Sequence, residues 1–151
     1  MFTLTIDGFA SGGAIPAVFT CEGSNISPAL AWSGEPEGTK TFALIMDDPD
    51  APAGTWNHWL LWDIPGGAHS VPQQYRTAHP VRSGTNDFGK TGYGGPCPPR
   101  RGGAHRYFFR LYALDTPVLG VPAGARRQEV ERALRRHRLG TAEYMGRFER
   151  I

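Results

Sequence analysis

The sequence predicts a mainly β domain with one or two short helices, the clearer of them near the C-terminus. Three observations carry this. The 151 residues include 20 glycines and 13 prolines, and both residue types interrupt helices. Several segments alternate apolar and polar residues or run apolar for the length of a buried strand. Only one stretch has helical spacing. The length suits one domain with a sizeable core.

Phe2, Leu4 and Ile6 alternate with polar residues up to the turn at Asp7-Gly8, a strand covering one face of a core. Ile15 to Thr20 reads as a second short strand. Glu22 to Pro28 is turn-rich, and Ala29 to Trp32 is a strand stopped by Gly34-Glu35-Pro36. Thr41 to Met46 is apolar almost throughout, as in a strand buried on both faces. It leads into Asp47-Asp48-Pro49-Asp50-Ala51-Pro52, a proline-locked turn. Thr55 to Ile64 is the next strand, and a period of two puts Trp56, His58, Leu60, Trp62 and Ile64 on one face.

Residues 68–83 read as loop. Residues 84–103 hold seven glycines and three prolines between two core strands, and a loop of that length in a small domain points to function. His105 to Leu114 is the last strand, with His105, Tyr107, Phe109 and Leu111 on one face. Arg126 to Leu139 is the helix: Val130, Ala133, Leu134 and His137 fall at helical spacing, and Gly140 is its expected C-cap.

A formal charge of +2 excludes a globally basic nucleic-acid binder. The N-terminus has no basic region ahead of an apolar stretch, so no signal peptide is read. No run approaches the apolar length of a membrane-spanning helix. The expected compartment is therefore the cytoplasm. Cys21 and Cys97 are too few for a disulfide scaffold, and two separate thiols are expected. The arginines from Arg126 to Arg150 read as a solvated helix face.

Chemistry concentrates where strands meet loops. Asp48 follows a buried strand, and a buried carboxylate needs a partner. His58 or His105 would serve, while Asp48 and Asp50 also suit Asx capping of their own turn. Tyr107 lies two residues beyond His105 on the same face, so an N–H and an O–H could meet one anion. Gly92, Gly94 and Gly95 allow close backbone approach, whereas Pro96, Pro98 and Pro99 lack an N–H and form a rigid wall. Asp48, His58 and His105 also form a two-histidine, one-carboxylate set, which keeps a metal-assisted hydrolase among the readings. No nucleophile motif accompanies them.

The Asp48-Pro49-Asp50-Ala51-Pro52…His58 segment and the Gly94-Gly95-Pro96-Cys97-Pro98-Pro99…His105-Arg106-Tyr107 segment resemble the phosphatidylethanolamine-binding protein family. Its members are also called Raf kinase inhibitor-like proteins. Asn25 to Trp32, His58-Trp59 and Ile64-Pro65 are similar to the bacterial and archaeal branch. The resemblance implies a β-sandwich core with peripheral helices and a small pocket for anionic groups such as a phospholipid head group. Residue by residue, it implies ligand-binding roles for Asp48, Asp50, His58, Gly95, Pro98, Pro99, His105 and Tyr107. Asn57 departs from the family pattern, where a second histidine or an aromatic is common, and the spacer Ala53 to Asn57 is short.

The expected function is a non-enzymatic binding protein for phosphate or a phospholipid head group, with no cofactor and no resident metal. The alternative is a kinase or protease inhibitor acting through the pocket rim. The resemblance to the bacterial branch is compatible with a homodimer without fixing the oligomeric state, and no nucleic-acid partner is expected.

Overall fold

A computed structural model describes residues 1–151. Eight strands form two sheets. β1 (Thr3–Ile6), β2 (Leu30–Ser33) and β5 (Ser70–Val71) make an antiparallel sheet in the order β1-β2-β5. The larger sheet runs β6-β4-β3-β7-β8, from β6 (Arg82–Ser83), β4 (Trp56–Pro65), β3 (Thr41–Asp48), β7 (His105–Leu114) and β8 (Arg138–Phe148). The expected mainly β architecture is thus realised as two layers.

β3 is buried at every position because both faces of its sheet are covered. One face packs on the small sheet. Phe42, Leu44 and Met46 there meet Leu4, Ile6, Leu30 and Trp32. The other face carries Ala43 and Ile45 and is covered by Leu119, Val121 and the single helix α1 (Arg127–Leu134) through Val130 and Leu134.

Five sequence expectations change. Ile15 to Thr20 is not a strand. Pro16 starts a 3-10 turn over Ala17–Phe19, in which the Phe19 and Thr20 N–H groups bond back to Pro16 and Ala17. The loop 68–83 contains β5 and β6, each two residues long. The helix ends at Leu134, where its apolar stripe ends. His137 lies outside it, bonded through its backbone and its Nδ1 to Asp115. Gly140 is then not a cap but a residue of β8, opposite Ala113.

The fifth change concerns β4, whose simple alternation fails. The β3–β4 register shifts between Met46 and Asp47 and again between Phe42 and Leu44. Each extra residue turns the following side chains to the other face. His58 and Trp59 therefore both point toward the inter-sheet core, Leu60 and Trp62 pack against the helix side, and Ile64 returns to the inter-sheet face. Asp63 takes up the second irregularity with φ +57° and accepts a bond from the Leu119 N–H.

Candidate functional site

The end of the large sheet where β3 stops and β7 starts carries a cavity of about 200 Å³. Its polar floor comes from strand ends: Asp48 closes β3, His105 opens β7, and Tyr107 and His58 stand beside them. All four are buried, so each polar atom needs a partner.

Asp48 uses both oxygens. Oδ1 accepts the Asp50 N–H at 2.8 Å, and Oδ2 lies 2.7 Å from His105 Nδ1. For Asp48 the Asx-turn expectation and the histidine-pairing expectation both hold; Asp50 caps no turn. A carboxylate accepts, so His105 Nδ1 donates and Nε2 remains for other use. His58 Nδ1 sits 2.6 Å from the Gly94 carbonyl, which again only accepts. Burial outweighs the nearby Asp48 and Asp47 charges and pushes the His58 pKa down. His58 is thereby held as the neutral tautomer with its N–H on Nδ1.

Tyr107 is the exception to satisfaction. It is fully buried, lines the cavity, and its hydroxyl, though near the Asp48 carboxylate, has no partner in hydrogen-bonding geometry. Burial first, and the Asp48 charge second, push its pKa above the usual phenol value. The hydroxyl therefore keeps its proton and remains a donor.

The rest of the wall is apolar: Ala51, Pro52, Trp56, Phe88, Pro98 and Pro99. Sequence reasoning had placed Trp56 only on the strand and passed over Phe88. The signals available were the two-residue offset of Trp56 from His58 and the lone Phe in a glycine-rich loop. Two expected site residues do not line the cavity. Asp50 forms a two-pronged ion pair with Arg106, Nε–Oδ2 2.9 Å and Nη2–Oδ1 2.8 Å, and also accepts the Arg106 N–H. That pairing lowers its pKa to about 2 and fastens the Asp48–Asp50 turn to β7. Gly95 lies behind the wall. Its N–H donates to Asn25 Oδ1 at 2.9 Å, and a Cβ there would sit 2.2 Å from the Phe19 carbonyl oxygen.

Cys97 also lines the cavity, and it is bonded to Cys21, correcting the expectation of two separate thiols. The segment after the 3-10 turn packs against the loop, with the Cys21 N–H donating to the Pro96 carbonyl. A separation of 76 residues hides that proximity in the sequence. The C-terminal strand approaches as well: Phe148 is opposite His105, and Arg150 Nε donates to the Pro98 carbonyl at 2.6 Å.

Asn57 faces away, on the helix side of the sheet. Its Oδ1 accepts from Arg127 Nη1 at 2.8 Å, and its N–H and Nδ2 both donate to Asp87 Oδ2. Arg127 also pairs with Asp47 and Glu131, so this arginine ties the helix to the strand ends behind the cavity and is not simply solvated. No three His, Cys, Asp or Glu side chains gather in a cluster suited to a metal ion.

No helix is long and apolar enough to cross a membrane. The family model for phosphatidylethanolamine-binding protein matches residues 5–149. The chain is 48% identical to the UPF0098 protein of Aquifex aeolicus, over 94% of this chain and 85% of that one. It is 47% identical to the UPF0098 protein of Methanothermobacter thermautotrophicus, over 97% and 98%. A Mycobacterium tuberculosis relative, 37% identical over 97% and 72%, is named a putative lipoprotein, LppC. Among solved structures, Escherichia coli YbcL superposes with a TM-score of 0.92 at 34% identity, covering 98% of both chains. A carboxypeptidase Y inhibitor, solved in complex with its cognate proteinase, shares the fold with a TM-score of 0.63 at 18% identity, over 99% of this chain and 84% of that one. A match along nearly the whole chain, with close likeness to solved members, makes this protein a member of the phosphatidylethanolamine-binding protein family.

Proposed function

We propose that the chain is a non-enzymatic binding protein whose cavity takes a small anionic group, a free phosphate or the phosphate of a phospholipid head group. The observation that carries this reading is the buried, unpartnered Tyr107 hydroxyl, kept protonated beside His105. An acceptor brought by a ligand satisfies it. Asp48 orients His105 by accepting from its Nδ1–H, which leaves Nε2 for a ligand. His58, held neutral, shapes the site and contributes no charge. The relatives above carry no enzyme's name, which agrees with a binding role.

The test is calorimetric titration with O-phosphoethanolamine and with inorganic phosphate, with and without a chelator. Binding is expected to ignore the chelator. Tyr107→Phe is expected to weaken it about tenfold, the loss of one hydrogen bond to a charged group. Affinity that needs added metal, or that is indifferent to Tyr107→Phe, defeats the reading.

The fold it shares with a proteinase inhibitor supports a second reading, in which the cavity rim also docks a kinase or protease. Arg101 lies two residues beyond the wall residue Pro99 and is exposed, with φ +62°. Loss of partner binding in Arg101→Glu, with phosphate binding intact, is the expected signature. A homodimer belongs to the same set of partner proposals and is read by sedimentation.

For the compartment, the cytoplasmic reading meets two opposing observations: the Cys21–Cys97 bond, a kind of bond that persists in oxidising surroundings, and the relative named as a lipoprotein. Fractionation with thiol labelling decides between them.

A further inference from the structure

A second cavity of nearly equal size, about 210 Å³, adjoins the first. Phe88 and Cys97 line both, so the partition is one side chain thick. Its disulfide half is fixed by covalent bonding to Cys21. Its aromatic half is held differently.

The Phe88 backbone is fastened: its N–H donates to Oδ1 of the buried Asn86 at 3.0 Å. The ring is not. It makes edge-on contacts with Trp56 and His58, at centroid distances of 5.6 and 5.4 Å, and remains 43% exposed. It also lies close against Gly94, where a Cβ would come within 2.5 Å of Cδ2. A ring with solvent on one side and a glycine track on the other can turn aside without disturbing the core.

The polar groups of the second cavity are mostly committed. Asn25 Oδ1 accepts from Gly95, the Asn86 amide donates to the Gly92 carbonyl, and the Tyr93 hydroxyl donates to the Phe19 carbonyl at 2.6 Å. The charged group left is Lys90, which is exposed and lines this cavity but not the first. Such a space attracts a second negative charge rather than a hydroxylated body.

We propose that the cavity behind Phe88 is a second subsite. It receives the distal acidic group of an elongated ligand whose phosphate occupies the first cavity. Phe88 is the movable partition that sets ligand length, and Lys90 is the counter-charge. The ligand class is a flexible bis-acid, in which a phosphomonoester is joined by a short chain to a second phosphate or carboxylate. This inference rests on the anion reading of the first cavity.

The experiment compares ethyl phosphate with a straight-chain butanediol bisphosphate by calorimetry on the full chain. The bisphosphate is expected to bind at least about tenfold more tightly, since its second group is tethered at high effective concentration. Lys90→Ala is expected to remove that advantage and leave ethyl phosphate within about twofold, as expected for loss of the tethered contact alone. Phe88→Ala is expected to enlarge the ratio of the two affinities. Equal affinities in the parent protein, or equal weakening of both ligands by Lys90→Ala, overturn the second subsite and leave the first standing. If ethyl phosphate does not bind at all, the anion reading falls, and this inference falls with it.

Discussion

Two histidines border one cavity and differ in what their Nδ1 atoms touch. His105 faces a carboxylate, and His58 faces a carbonyl in a buried setting. The consequence for stability follows from the direction of the His58 shift. A histidine whose folded pKa is depressed binds fewer protons than the unfolded chain does below the ordinary value of 6.5. Its contribution is therefore complete above that value and is lost as pH falls through it. Denaturant titrations at about pH 7.5 and about pH 5, either side of the histidine value, are expected to show the acid loss in the parent protein. In His58→Gln that loss is expected to shrink. Tyr107→Phe should leave stability within about 1 kcal/mol or raise it, because it removes a buried donor that the protein does not satisfy. Thermal melts of the unliganded protein check this.

Among the elements, β8 is the one the sequence conceals. Its inward positions are Gly140, Ala142, Tyr144, Gly146 and Phe148, read from their partners on β7. Two glycines and an alanine break the apolar alternation that marks a strand. Gly146 is there because Ile15 and Phe9 occupy its side-chain space: a Cβ would lie 2.5 Å from Ile15 Cγ1. Gly146→Val should accordingly cost about 1–3 kcal/mol through overpacking, measured by urea denaturation. The other strands were legible where they carried larger residues, as in Thr41 to Met46 and His105 to Leu114. The two irregularities of β4 were not, since a bulge leaves the residue types unchanged and alters only which face they occupy. That is why His58 and Trp59 share a side that alternation denies them. The site was legible at strand ends, in Asp48, His58, His105 and Tyr107. It was not legible where it depends on how loops fold back, as with Phe88 and with the Cys97 bond to Cys21.

At the scale of the whole molecule, the site stands on a central sheet with apolar packing on both faces, and three devices hold its loops to that sheet. Asp50 with Arg106 fastens one turn, the disulfide fastens the proline wall, and Arg150 reaches the Pro98 carbonyl from the C-terminal end. The disulfide closes a loop long enough that Cys97→Ser should lower stability by about 2–5 kcal/mol, chiefly by freeing the unfolded chain. Chemical denaturation of the variant against the oxidised parent measures it.

The bond between Asp48 and His105 joins residues 57 apart in the chain. It cannot form until β3 and β7 have paired, and pairing of such distant segments comes slowly because the intervening chain must first be closed. No partly folded species lacking that pairing holds the two groups together. Ligand should therefore act as a clock with one hand. Saturating phosphomonoester is expected to slow unfolding in stopped-flow experiments while leaving the refolding rate unchanged. Stability gained by mass action would then appear almost wholly as a longer native lifetime.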